Sequence, residues 1–191
     1  MHPYETIALS TAGYVLAAWL ILSHLWMLVK SDEAIDFLKK FPRNNMAGTV
    51  LMSIGMLWFW LLVVPFDSPI AMDLGEFNAA KNILLAAVPI CAFLMITRVR
   101  EFLAVRGLGV VALMAAAPLL AAAWQEPATG KILIPIFAYA MLSAGLFFVG
   151  MPFVMRDGIT WATASASRFK LLVLGGLAYG IAVLAATILW W

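Results

Sequence analysis

Residues 132–155 read ILIPIFAYAMLSAGLFFVGMPFVM and lie between Lys131 and the pair Arg156-Asp157. The run holds no charged residue, and its only hydroxyls belong to Tyr139 and Ser143. A helix rises about 1.5 Å per residue, so such a stretch can cross the roughly 30 Å hydrocarbon core of a bilayer. Five more stretches of this kind surround it, and the chain has little else. The expected fold is all-α: a polytopic, six-transmembrane-helix bundle with a short interfacial helix between the first two spans.

Composition agrees. Of 191 residues, 65% are hydrophobic and only 12% charged, far from the balance of soluble domains. The length suits one transmembrane domain over residues 1–191 and leaves no room for a second. A lone cysteine, Cys91, sits in an apolar run and can form no intrachain disulfide. The start, MHPYET, has no basic residue, whereas a secretory signal peptide wants one ahead of a short apolar centre. The first run is also long and followed by Lys30, so it reads as a retained span.

The six spans are placed at about 6–29, 46–66, 79–97, 107–124, 132–155 and 170–191. The third is the weak member, because only sixteen residues separate Lys81 from Arg98. Lys81 can snorkel outward and residues 77–80 can extend the helix, so a full crossing is still expected. Pro89, Pro118, Pro135 and Pro152 each remove a backbone donor and permit a kink.

Charge sets the orientation. The first inter-span loop carries Lys30, Lys39, Lys40 and Arg43; the third carries Arg98, Arg100 and Arg106; the fifth carries Arg156, Arg168 and Lys170. Only Lys81 and Lys131 remain for the other side. Basic residues resist translocation, so these loops are expected in the cytoplasm. The chain then belongs in the cytoplasmic (inner) membrane as a multi-pass protein, with both termini on the outer, periplasmic side. Trp124, Trp190 and Trp191 fall at the outer interface and Trp26 at the inner one, where indoles prefer the headgroup level. Trp58-Phe59-Trp60 is less ordinary, since adjacent rings point around more than half a helix.

Small residues recur at close-packing spacing: Gly176 and Gly180, Gly13 and Ala17, and Ala112, Ala116, Ala117 and Ala121. Such faces let helix backbones approach, within the chain or against a partner. In the first loop, Ser31-Asp32-Glu33 precedes Lys39-Lys40 and Pro42, an order that suits a short capped helix and its dipole. Ala34, Leu38 and Phe41 share its face, which places it in the inner interface. No convincing internal repeat appears, whereas an inverted-repeat transporter would show one.

Polar groups at membrane depth are the natural candidates for chemistry. No Asp, Glu, Lys or Arg lies mid-span, which counts against a proton-driven carrier. His24 is the ionisable group inside a helix, and it offers a contact for a quinone or haem. A satisfied interfacial histidine is the commoner arrangement. His2 stands twenty-two residues away, about 33 Å along a helix, so the two cannot share one iron within a subunit. No cofactor is otherwise expected. Tyr14, Ser23, Tyr139, Ser143 and Tyr179 could continue a polar path from His24 through the spans.

On the inner face, Arg98, Arg100, Arg156, Asp157 and Arg168 form a candidate site for a lipid headgroup or anion, since guanidinium forks suit phosphate. Positive-inside topology alone also accounts for them. Pro152 frees the carbonyl of Phe148 and bears on how Arg156 is presented. The outer face is acidic, with Asp67, Asp73, Glu76 and Glu126. Asp73 and Glu76 would share a face if residues 72–78 are helical, and with Asn78 could hold a hard cation. Hydrolase signatures are missing.

Three functions follow from these features. The first is a non-catalytic subunit or scaffold of a membrane complex, packing through small-residue faces. The second is a small-solute carrier or channel using the Tyr/Ser/His path. The third is a cofactor- or lipid-binding enzyme using His24 or the inner arginines. Expected partners are the bilayer and other membrane subunits or further copies of the chain, not nucleic acid.

Overall fold

The computed structural model describes residues 3–64, 71–124 and 126–191. His2, Asp67 and the last two residues of the expected second span lie outside them. Eight α-helices follow in order: α1 (Leu9–Val29), α2 (Ser31–Lys40), α3 (Asn45–Val63), α4 (Lys81–Arg98), α5 (Leu103–Ala123), α6 (Leu133–Gly150), α7 (Phe153–Ala162) and α8 (Ala166–Trp190). Short 3-10 turns at Phe41–Arg43 and Gly75–Ala80 precede α3 and α4. No strand occurs among the described residues. Six helices are long and apolar enough to cross a membrane: α1, α3, α4 with its 3-10 extension, α5, α6 and α8. Large apolar side chains cover their outer faces, among them Val15, Leu22, Ile83, Phe93, Leu146 and Leu171. Water would not tolerate that surface, and hydrocarbon would.

The packing order is not the chain order. α5 lies along both α3 and α6, α4 rests on α3, and α1 pairs with α8. Without a hydrophobic gain between helices in lipid, close backbone approach holds these seams. A Cβ on Gly48 would stand 2.6 Å from the backbone nitrogen of Ala104, and one on Gly107 would stand 2.8 Å from that of Met52. Gly109 and Gly145 oppose each other, so that a Cβ on either meets the other's carbonyl oxygen, at 2.8 and 3.0 Å. The α1–α8 pair joins the rest through a core of Leu9, Leu16, Leu20, Ala122, Ile134 and Val183.

The expected fifth span is two helices. α6 stops at Gly150, and Pro152 stands at the head of α7, which carries Arg156 and Asp157. A proline disfavours helical geometry in the residue before it, and Met151 takes φ −129°, ψ 68°. The apolar run continues through this break because hydropathy records the surroundings of a side chain, not the path of the backbone. Arg156 is therefore held by a second helix, not by the end of the fifth span.

Other boundaries also shift. α5 begins at Leu103, which puts Arg106 in its first turn and not in the preceding loop. α8 begins at Ala166 and includes Arg168 and Lys170. The helix expected in the first loop is present as α2, but Ser31 does not cap it: its hydroxyl donates to the Leu28 carbonyl at the end of α1, 3.1 Å away. Ala34 is fully buried against Phe169 and Val173 of α8. α3 starts on a true cap, the Asn44 side-chain oxygen accepting from the Ala47 N–H at 3.0 Å.

The aromatic triplet of α3 has a definite use. The Trp58 indole donates to the Tyr4 hydroxyl at 2.8 Å, and the Trp60 indole donates to the Leu85 carbonyl at 3.0 Å. Leu85 is four residues before Pro89, so its carbonyl has lost its ordinary helical donor. Trp60 supplies one from the neighbouring helix. At the C-terminal end of α8, the Trp191 indole donates to the Thr129 carbonyl at 2.9 Å, and Trp190 covers Gly130. Both close the loop between α5 and α6.

Candidate functional site

A crevice of about 340 Å³ lies between α1, α6 and α8. Leu20 and His24, one turn apart, present one wall from α1, with Trp19 at its edge. Gly176 and Tyr179 form the α8 wall, and Phe137 and Ala140 lead the α6 wall. The imidazole fits because residue 176 has no side chain, since a methyl there would overlap Nε2. Phe137 ties the three helices together. It meets the Trp19 ring edge-on at 6.0 Å and the Tyr179 ring at 6.3 Å.

Hydrogen bonds fix the state of the polar groups. His24 Nδ1 is 2.7 Å from the Leu20 carbonyl oxygen. A carbonyl oxygen only accepts, so in the neutral ring the proton sits on Nδ1 and Nε2 keeps its lone pair. The Ser23 hydroxyl donates to the same carbonyl at 3.1 Å and stands 3.2 Å from Nδ1. Tyr179 donates its hydroxyl proton to the Leu133 carbonyl at 2.5 Å. Apart from Nε2 of His24, the Tyr179 oxygen and the Trp19 indole N–H, the lining side chains are apolar.

Of the path expected from sequence, the crevice gathers His24 and Tyr179, with Ser23 beside them. Tyr139 and Ser143 of α6 do not line it. Tyr139 is 61% exposed, and Ser143 donates to the Tyr139 carbonyl at 2.9 Å. Tyr14 is exposed on α1 and does not line the crevice. Trp19, Phe137 and Gly176 were not foreseen as site residues. An aromatic residue five positions before a histidine is the local signal that Trp19 could have offered, but nothing local marks Phe137.

The arginines expected on the inner face are engaged separately. Arg156 binds Asp157 at 2.7–2.8 Å, a surface pair within α7. Arg168 donates to the Trp161 carbonyl at 2.7 Å, with its guanidinium carbon 4.7 Å from the Trp161 ring centre. Arg98 and Arg100 are exposed at the end of α4. Arg106 donates to the Val149 carbonyl at 3.3 Å, and its buried Nε has no partner among the described residues. Both Arg106 and Arg168 thus sit at helix C-termini, where the helix dipole favours a cation.

The loop before α4 differs from the expected shared helical face. The 3-10 turn begins at Gly75, so Asp73 stands ahead of it and Glu76 within it. Asp73 accepts from Asn78 Nδ2 at 2.6 Å and from the Gly75 N–H at 2.9 Å, while Asn78 Oδ1 accepts from the Leu74 N–H at 3.1 Å. These bonds, the Asn78 amide first, hold the Asp73 carboxyl below its ordinary pKa. Among the described residues, no three of His, Cys, Asp and Glu converge as a metal site would require.

Against known protein families, curated proteins and solved structures, the chain shows no match.

Proposed function

We propose that this chain is a multi-pass protein of the cytoplasmic membrane that receives a small, bilayer-borne apolar molecule in the crevice between α1, α6 and α8. The observation that carries this reading is the imidazole nitrogen of His24, held without a partner in an otherwise apolar recess. A lone pair that faces hydrocarbon goes unmet, and a ligand that donates to it gains a hydrogen bond in surroundings of low dielectric. The volume lies at the small end of the roughly 300–1,000 Å³ typical of ligand sites. Carrier, sensor and cofactor-bearing roles all begin with this binding step.

The concentration of Lys and Arg in alternate loops supports an orientation with both ends of the chain outside. In a Cys91→Ser background, an impermeant maleimide should label Thr129→Cys in intact cells and Ser165→Cys only after permeabilisation. The reverse pattern refutes the orientation.

The ligand reading is tested by purifying the protein into nanodiscs and identifying what is retained. Wild type should hold an apolar molecule that Gly176→Leu, which fills the recess, does not. Equal retention by both removes the crevice from the function.

A non-catalytic subunit is the second reading, with a specific observation in its favour: α4 packs on α3 and is the least buried of the six spans. The small-residue faces no longer favour it. Gly176 and Gly180 pack on His24, Leu20 and Ile21 of α1, and Gly13 packs on Thr187 and Trp191, all within the chain. A stoichiometric partner copurifying in mild detergent, and lost when bulky polar residues are placed on α4, would establish it.

A further inference from the structure

We infer that the crevice selects molecules that donate a hydrogen bond: an apolar body carrying a hydroxyl, whether a reduced aromatic diol or an aliphatic lipid alcohol. This rests on the ligand reading above and goes beyond it by setting the polarity of the contact. The inference comes from counting donors. The imidazole has one N–H in its neutral form, and Leu20 holds it at 2.7 Å. Ser23 spends its hydroxyl proton on the same carbonyl. Tyr179 spends its own on Leu133. What remains open is the lone pair of His24 Nε2, with further acceptor capacity on the Tyr179 oxygen. The Trp19 indole, whose ring packs edge-on against Phe137, carries the one further N–H of the lining, and the remaining lining side chains are hydrocarbon.

At Nε2 a ligand presenting only carbonyl or ether oxygens would set acceptor against acceptor. One presenting O–H satisfies Nε2 in surroundings of low dielectric, where the bond is strongest. The same site thereby tells a reduced ring from its oxidised form, because reduction converts ring C=O acceptors to O–H donors. Sites built to pair a particular polar group reject analogues that lack it more sharply than apolar contacts alone can. A difference of at least about tenfold is expected from one such bond.

The test uses the full chain in phosphatidylcholine nanodiscs and three probes: 4-octylphenol, its methyl ether 4-octylanisole, and 4-octylcyclohexanol. Binding is read as the shift of the His24 Nε2 resonance in protein labelled with ¹⁵N-histidine, and Gly176→Leu nanodiscs give the background for partitioning into lipid. The inference expects the phenol to move Nε2 toward the hydrogen-bonded position and to bind at least tenfold more tightly than the anisole. A cyclohexanol matching the phenol would point to an aliphatic alcohol as the natural source, and a clear phenol preference would point to an aromatic one; either outcome supports donor selection. Should phenol and anisole bind alike, both displaced by Gly176→Leu, the crevice would still be a site but its selection for donors would be overturned. If no probe exceeds the Gly176→Leu background, the ligand reading itself fails and the inference with it.

Discussion

The α3–α5 seam and the α1–α8 seam are both built on glycine, and they use it to opposite ends. At the first, Gly48 and Gly107 face backbone: the main chains of Leu103-Ala104 and of Met52 fill the space a Cβ would need. At the second, Gly176 faces the imidazole of His24. In one place the missing side chain closes a contact between helices. In the other it admits a polar group and leaves a recess beside it. A glycine in an apolar helix therefore signals either a lock or a site, and what stands opposite decides which.

Breaking the lock should cost most. Gly107→Leu forces α3 and α5 apart, because backbone cannot rotate out of the way, and overpacking of this kind costs about 1–3 kcal/mol or more. The measurement is folded fraction against denaturant in mixed micelles, with loss of a stable folded state as the expected extreme. Gly176→Leu should cost clearly less, because the His24 side chain can swing toward lipid, yet it alone should abolish retention of the ligand. Equal destabilisation by the two variants would erase the distinction between lock and site.

The two regions also differ in how far the sequence disclosed them. Six helices long and apolar enough to cross a membrane and the helix of residues 31–40 were legible, because hydropathy and helix signals are local properties of the chain. The break at Met151-Pro152 was legible in principle from the proline rule, but an unbroken apolar run concealed it. Arg106 and Arg168 looked like loop charges because a long side chain places its head well beyond its own Cα, here on the carbonyl ends of α6 and α7. His24 drew notice as a polar residue in a span. Its pairing with Gly176 could not be foreseen, since which helices become neighbours is set by contacts between residues far apart in the chain.

A smaller effect sharpens the account of the α3–α4 contact. Trp60→Phe leaves the Leu85 carbonyl without the donor that Pro89 took away, and should destabilise by about 0.6–1.7 kcal/mol, the range of single bonds between membrane helices. In a Pro89→Ala background the helix supplies that donor itself, so the same substitution should cost less. A double-mutant cycle on unfolding in micelles reads the difference, and additive costs would mean the indole contributes nothing at this carbonyl.

The smallest effect is at the outer loop. Because Asp73 is held below its ordinary pKa of 3.8, its contribution is complete above that value and fades as pH falls through the lower folded-state value. Hydrogen exchange at the Gly75 amide should therefore lose protection, relative to neighbouring amides, at the acid end of a titration. Asp73→Asn, which keeps the acceptor but not the charge, should make that protection independent of pH.

The central claim is that the crevice beside His24 opens sideways onto hydrocarbon. In a Cys91→Ser background, a nitroxide on Ile136→Cys, at the crevice mouth, reports its surroundings through collisions with oxygen, which concentrates in lipid, and with a water-soluble nickel chelate. The account predicts high oxygen and low nickel accessibility, with a bound apolar alcohol lowering the oxygen value. Nickel accessibility as high as that of a nitroxide in the outer loop would show a water-filled site, and the account would be wrong.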